Sequence, residues 1–187
     1  MRSAILIAMG ALSLSGCQPA AGPVAPGPDI VTVFGNGIRP DRGAMRPDEE
    51  PMFASYGLEF DSALGLTFAE LAAFDRFTLT TDFPAGGQTH SFSGPLLRDV
   101  LADAGSADLT IRVTALDGYQ REISAERARR HDVLLALYQD GHPLGLGGRG
   151  PAMLVWPRGS DPALAGMSDD DWVFGIFAIE ALADPED

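Results

Sequence analysis

Apolar and polar residues alternate along two segments of the chain. Phe77, Leu79, Thr81 and Phe83 alternate with polar neighbours, as do Leu109, Ile111, Val113 and Ala115. A period of two sends successive side chains to opposite faces, so each segment predicts a half-buried strand. Asp117-Gly118 favours a tight hairpin turn, so Tyr119 to Ile123 should return antiparallel. Ile30 to Phe34 is a short strand ended by the turn at Gly35-Asn36-Gly37, and Gly86-Gly87 turns the chain into Thr89 to Phe92. Val133 to Tyr138 is apolar throughout and predicts a strand buried on both faces. Asp140-Gly141 turns it, and Ala152 to Trp156 forms another. Trp172 to Glu180 is expected to be a long closing strand, with Trp172, Phe174, Ile176 and Ala178 on one side.

Helical spacing is confined to short stretches. Leu96, Leu97, Val100, Leu101 and Ala104 share one face of a helix predicted over Pro95 to Ala104. Proline suits the first helical position and Gly105 the position beyond the last turn. Thr67-Phe68-Ala69-Glu70 fits a capping box, which starts a helix over 68–74 with Leu71 and Phe74 inward. Ser124 caps a segment carrying Glu126, Arg127, Arg129 and Arg130, read as a solvated face. Residues 38–56, rich in Arg, Pro, Asp and Glu, read as a long surface loop. Strands dominate and no strand–helix–strand rhythm or internal repeat is present. The class is therefore α+β, with a mixed or largely antiparallel sheet, in one domain over 30–187.

The first residues read as an address. Met1-Arg2 precedes an apolar run from Ser3 to Leu14, and Leu14-Ser15-Gly16-Cys17 has the form of a bacterial lipobox. So short a run cannot cross about 30 Å of hydrocarbon, so a cleaved signal peptide over 1–16 is expected, with lipid on Cys17. Residues 17–29 then comprise the lipidated cysteine and a proline-rich tether. Export and attachment to a membrane through the lipid follow, with the domain facing the periplasm. Gln18 stands where an acidic residue would favour retention at the inner membrane, so the outer membrane is expected.

Charge and composition remove several activities. The net charge is −13 and every basic residue is arginine, so nucleic acid is not an expected partner, and lysine chemistry is excluded. With one cysteine no internal disulfide can form. Gly145-Leu146-Gly147-Gly148-Arg149-Gly150 spells a dinucleotide fingerprint, but Pro143 precedes it and a strand follows, the wrong context for one. His90, His131 and His142 lack metal-ligand spacing and read as surface or turn residues, and no nucleophile elbow accompanies them. Asp169-Asp170-Asp171 reads as the start of an element, and Trp156 and Trp172 as core aromatics.

The order of pieces from Phe92 to Pro157 carries a resemblance. Phe92-Ser93-Gly94-Pro95-Leu96-Leu97-Arg98-Asp99-Val100-Leu101 leads to Asp117-Gly118-Tyr119, then to Gly141-His142-Pro143-Leu144 and Gly150-Pro151-Ala152-Met153-Leu154-Val155-Trp156-Pro157. This resembles the oxidoreductase molybdopterin-binding domain family, the sulfite-oxidase-type fold, over about Phe77 to Leu182. The resemblance implies a molybdenum-bearing pterin between loops at one sheet edge, held by a cysteine thiolate. The corresponding region here, near Thr80-Thr81-Asp82, has no cysteine, and Cys17 is assigned to lipid. Thiolate is the soft ligand of such a site and no other side chain substitutes simply, so catalysis of that type and a metal ligand are not expected, although Asp82 offers an oxygen at that place.

The resemblance also implies that Asp117 and Tyr119 border the cofactor and that Arg149 stands at the glycine-rich entry to a later strand. Arg149 could pair with a phosphate or carboxylate, and Tyr119 could stack or donate a hydrogen bond. The plainer readings, a good hairpin and a solvated loop charge, stand beside these. The preferred expectation is a non-catalytic, membrane-tethered module without a cofactor, binding a small anionic ligand or a partner protein in a redox or signalling system. The alternative is a molybdopterin-dependent oxidoreductase with an unusual metal ligand.

Overall fold

The structure, a computed structural model, describes residues 27–183. The expected signal peptide, Cys17 and most of the tether lie outside these residues. The chain runs through β1 (Asp29–Gly35), α1 (Pro51–Ser55), β2 (Ala63–Thr67), α2 (Phe68–Ala73), β3 (Phe77–Thr81), β4 (His90–Gly94) and α3 (Leu97–Ala104). It continues through β5 (Ile111–Ala115), β6 (Gln120–Ile123), α4 (Ala125–Arg130), β7 (Leu134–Ala136), β8 (Tyr138–Gln139), β9 (His142–Pro143), β10 (Met153–Val155) and β11 (Ile176–Ala181).

A five-stranded sheet in the order β2-β1-β11-β5-β6 forms the frame. Only β1 and β11 run parallel within it; the other pairings are antiparallel. A second, antiparallel sheet has the order β3-β4-β8-β9, and β7 pairs with β10. Backbone bonds from Leu135 to Pro95 and from Leu137 to Ser93 fasten β7 to the end of β4. The arrangement is α+β with short helices, as the strand-rich pattern predicts. No helix among the described residues is long and apolar enough to cross a membrane.

The main core gathers Val31, Val33, Val113 and Ile179 of the large sheet with Leu97, Val100 and Leu101 of α3 and the wholly buried β7 and β10. Each fully buried Leu or Val contributes on the order of 1.5–3 kcal/mol of burial free energy. A smaller cluster joins Phe34, Phe53, Leu58 and Phe177. That second cluster corrects the expected loop at 38–56: Pro51 occupies the start of α1, and buried Phe53 pins the helix against Phe60 and Phe177.

Other departures have local causes. The capping box forms with both of its bonds, Glu70 N–H to Thr67 and Thr67 N–H to Glu70, so α2 begins at Phe68 as expected. The helix expected from Pro95 begins instead at Leu97, because Leu96 stays extended and bridges Leu134. Its end is as expected, with Gly105 at φ 89° accepting the left-handed turn that other residues resist. The closing strand is shorter than expected. Gly175 at φ 69° breaks the alternation, so Trp172 to Gly175 lies outside β11.

Candidate functional site

The β5–β6 hairpin, the 169–175 segment and the glycine-rich loop before β10 converge on a cleft of three adjoining lobes around Phe174. The first, about 260 Å³, is lined by Asp117, Tyr119, Asp169, Asp170, Trp172 and Phe174. The second, also about 260 Å³, has Asp117, Gly147, Gly148, Gly150 and Phe174 in its walls. The third, about 330 Å³, has Phe83, Gly86, Arg149, Asp169, Trp172 and Phe174. Phe174 belongs to all three and is 49% exposed. The break at Gly175 is what turns this ring outward.

The turn chemistry sets the first lobe. The Tyr119 amide donates to Asp117 Oδ1 at 3.0 Å, tightening the hairpin tip. The Tyr119 hydroxyl donates to the Asp170 carbonyl at 3.0 Å, hooking that tip onto the acidic segment. Asp169 Oδ1 accepts from the Ala85 amide, and Asp170 Oδ2 from the Ser168 hydroxyl. Among the described residues, none of Asp117, Asp169 and Asp170 forms a salt bridge.

Asp171 faces the other way and is almost fully buried. Arg121 Nε lies 2.5 Å from its Oδ1 and Arg127 Nη2 lies 2.6 Å from its Oδ2. Burial alone would push its carboxyl up, but the hydrogen bonds from Arg127 and Arg121 outweigh that, and it lies below the ordinary carboxylate range. Arg127 also stacks 4.6 Å over Trp156, whose indole N–H donates to the Asp171 carbonyl at 2.8 Å. This clasp joins β6, α4 and the end of β10 to the segment that carries the cleft's aromatic wall. It corrects the reading of α4 as merely a solvated face. The adjoining His131 is also buried, not superficial as expected, with Nδ1 2.6 Å from Asp161 Oδ2. That bond, with the Ala163 amide, holds the Asp161 carboxyl below its usual range.

The residues picked out in the sequence are brought together in part. Asp117 and Tyr119 share the first lobe, and Arg149 lies in the third across the common wall of Asp169, Trp172 and Phe174. Arg149 is partly engaged: Nη1 donates to Gln139 Oε1 at 3.0 Å, and its guanidinium stacks 4.3 Å over Phe83. Gln139 in turn touches His90, whose Nδ1 lies 2.7 Å from Asp140 Oδ2. His142 is exposed in β9. The Gly145–Gly150 run is followed by β10, whereas a dinucleotide fingerprint requires a helix there. Trp156 is fully buried as expected, while Trp172, though 4% exposed, also walls the cleft. Phe174, Asp169 and Asp170 were not foreseen as site residues. The sequence signal for them is the Phe174-Gly175 pair, an aromatic directly before a residue free to leave the strand.

At the edge where the resemblance places a thiolate, Thr81 is buried and its hydroxyl donates to the Asp82 carbonyl at 3.1 Å. The Asp82 carboxylate is gripped by Arg158 Nη1 at 2.5 Å. Arg158 Nε is buried with no hydrogen-bond partner among the described residues. No group of three or more His, Cys, Asp and Glu among the described residues is disposed to hold a metal ion. Cys17 lies outside them.

The model of the family described as "oxidoreductase molybdopterin binding domain" matches residues 56–160, more than half of the chain. The match begins before the resemblance seen in the sequence and ends before β11. The crystal structure of the sulfane dehydrogenase SoxCD from Paracoccus pantotrophus is similar with a TM-score of 0.55 and 18% identity, over 82% of this chain and 38% of that one. At this identity the likeness is one of fold, and this chain spans well under half of that protein's length. Comparison with curated proteins gives no match.

Proposed function

The chain belongs to the oxidoreductase molybdopterin-binding domain family, and from that premise we propose that it is a non-catalytic member, a module that uses the family's cleft to bind a ligand or a partner. The observation that carries this reading is the state of the Thr81–Asp82 edge. A molybdenum centre of this type wants a soft sulfur ligand. Here a threonine hydroxyl is turned onto the neighbouring carbonyl, and the next carboxylate is neutralised by Arg158.

The rest of the cleft is no better suited to the cofactor. A pterin carrying phosphate is anionic and calls for clustered donors. Asp117, Asp169 and Asp170 line the lobes against the single guanidinium of Arg149, which is shared with Gln139 and Phe83. The residues present do not fit the group, and no reaction step is assigned to it. The small anionic ligand expected from the sequence would meet Arg149 in the cleft and, at the Thr81–Asp82 edge, the buried Nε of Arg158, which has no partner among the described residues.

The proposal includes export and attachment through lipid on Cys17, with the periplasm as the compartment. Its support is the sequence from Met1 to Cys17 alone. The decisive measurement is metal and pterin content after production in cells that make molybdopterin. Molybdenum well below one equivalent and no pterin fluorescence are expected. Near-stoichiometric molybdenum would overturn the reading in favour of an oxidoreductase with an unusual ligand.

A further inference from the structure

The first lobe has a chemistry that neither the family nor Arg149 accounts for. Tyr119, Trp172 and Phe174 line it, Trp172 only 4% exposed, and the exposed residues Asp117, Asp169 and Asp170 stand at its rim. Tyr119 is 44% exposed and Phe174 49%, so apolar ring surface is presented to solvent at the mouth of a concavity. Charge nearby does not cancel the rim. Arg121 and Arg127 are both bonded to Asp171, which leaves those three residues with one unit of positive charge against the three carboxylates of the rim. Arg149 belongs to the third lobe, beyond the common wall.

Aromatic faces attract cations through their quadrupole, most strongly where water is displaced. Carboxylates at the rim add attraction of the same sign and discriminate against anions. Resting on the non-catalytic reading above, we infer that the first lobe binds a small organic cation, an alkylated ammonium whose methyl groups meet the exposed side chains of Tyr119 and Phe174 while Asp117, Asp169 and Asp170 balance its charge. An inorganic cation suits the site less well, since it would strip its own water for ring faces and would leave the apolar walls wet. An anion would face the three carboxylates.

The test uses the full chain, labelled with 15N, purified from molybdopterin-producing cells and assayed for molybdenum in the same preparation. Choline is titrated while the indole N–H signal of Trp172 is followed, assigned with the Trp172→Phe variant. Its uncharged isostere 3,3-dimethylbutan-1-ol and the anion benzoate are titrated at the same ionic strength. Choline should bind about tenfold or more tightly than the isostere, with benzoate weaker still. Phe174→Ala and Asp117→Asn should each weaken choline by about fivefold, and Asp117→Asn retains the oxygen that accepts from the Tyr119 amide. Arg46→Gln, at an exposed residue outside the cleft that pairs with Glu49, should leave choline binding within about twofold. Equal affinity for choline and the isostere, or a preference for benzoate, overturns the assignment. No response to choline in molybdenum-free protein overturns it while leaving the non-catalytic reading standing. Stoichiometric molybdenum overturns that reading and this one together.

Discussion

Two neighbouring regions use the same residue types to opposite ends. In the clasp, Trp156 is fully buried, Arg127 stacks on it, and Asp171 has both oxygens bonded to arginine. In the cleft a few residues away, Phe174 stands half exposed, and Asp169 and Asp170 have no salt bridge among the described residues. Burial raises the cost of an unpaired charge, so Asp171 had to find partners, whereas its neighbours at the surface did not. The clasp is therefore a structural device that completes its own valences, and the cleft is a surface left incomplete. The difference separates residues that hold the fold from residues available to a ligand.

Substitution of the two aromatics should break this comparison most sharply if it is wrong. Trp156→Ala should cost about 3–5 kcal/mol, through lost packing and the cavity left behind. Phe174→Ala should cost less than about 1 kcal/mol, since half of the ring is already wet. Urea titration of both variants measures the gap, and equal losses would remove the distinction.

A smaller contrast is expected for the carboxylates. Asp171→Asn should destabilise by about 2 kcal/mol, below the usual cost of breaking a buried pair, because Arg121 and Arg127 are partly solvated and can hydrate. Asp170→Asn should change stability by less than about 0.5 kcal/mol. The first effect should also depend on pH. The Asp171 carboxyl lies below its ordinary value in the folded chain. Its contribution is then complete above the unfolded value, near about 3.9, and fades as pH falls through the folded value. Thermal melts of the parent and Asp171→Asn should therefore differ at pH 7 and converge in acid below the ordinary carboxylate range. A difference that persists unchanged in acid would show that charge is not what the clasp uses.

An effect between those of the two carboxylates is expected at Arg149, where Arg149→Gln should cost about 0.5–1 kcal/mol from lost stacking on Phe83. A larger loss, read by the same urea titration, would move Arg149 from the open region into the self-completing one.

Much of the scaffold was legible because local rules agreed with global packing. The Thr67–Glu70 box, the Gly105 stop and the Asp117-Gly118 hairpin are each decided within a few residues, and each forms as expected. The misses are places where a distant partner decides. Pro95 would open a helix, but pairing of Leu96 with Leu134 holds the chain extended. Phe53 sits in a polar stretch and is buried only because Phe60 and Phe177 arrive from elsewhere. The site divides in the same way. Asp117 and Tyr119 were visible through their turn, whereas Phe174 was hidden inside an apolar run, and only the reversal at Gly175 shows that its ring faces outward.

The pairing of β1 with β11 sets an order of assembly. Thr32 lies opposite Ala178 and Gly35 opposite Ala181, so a strand near the start of the sequence finds one of its two neighbours only at the far end. Until residues 176–181 leave the ribosome, β1 has one ladder unmade and β5 lacks its inner neighbour. Closing so long a loop is entropically slow, and the middle of the frame is the last part to be built. A chain emerging from its first residue onward therefore waits, with an open seam at its centre, for its final strand to close it.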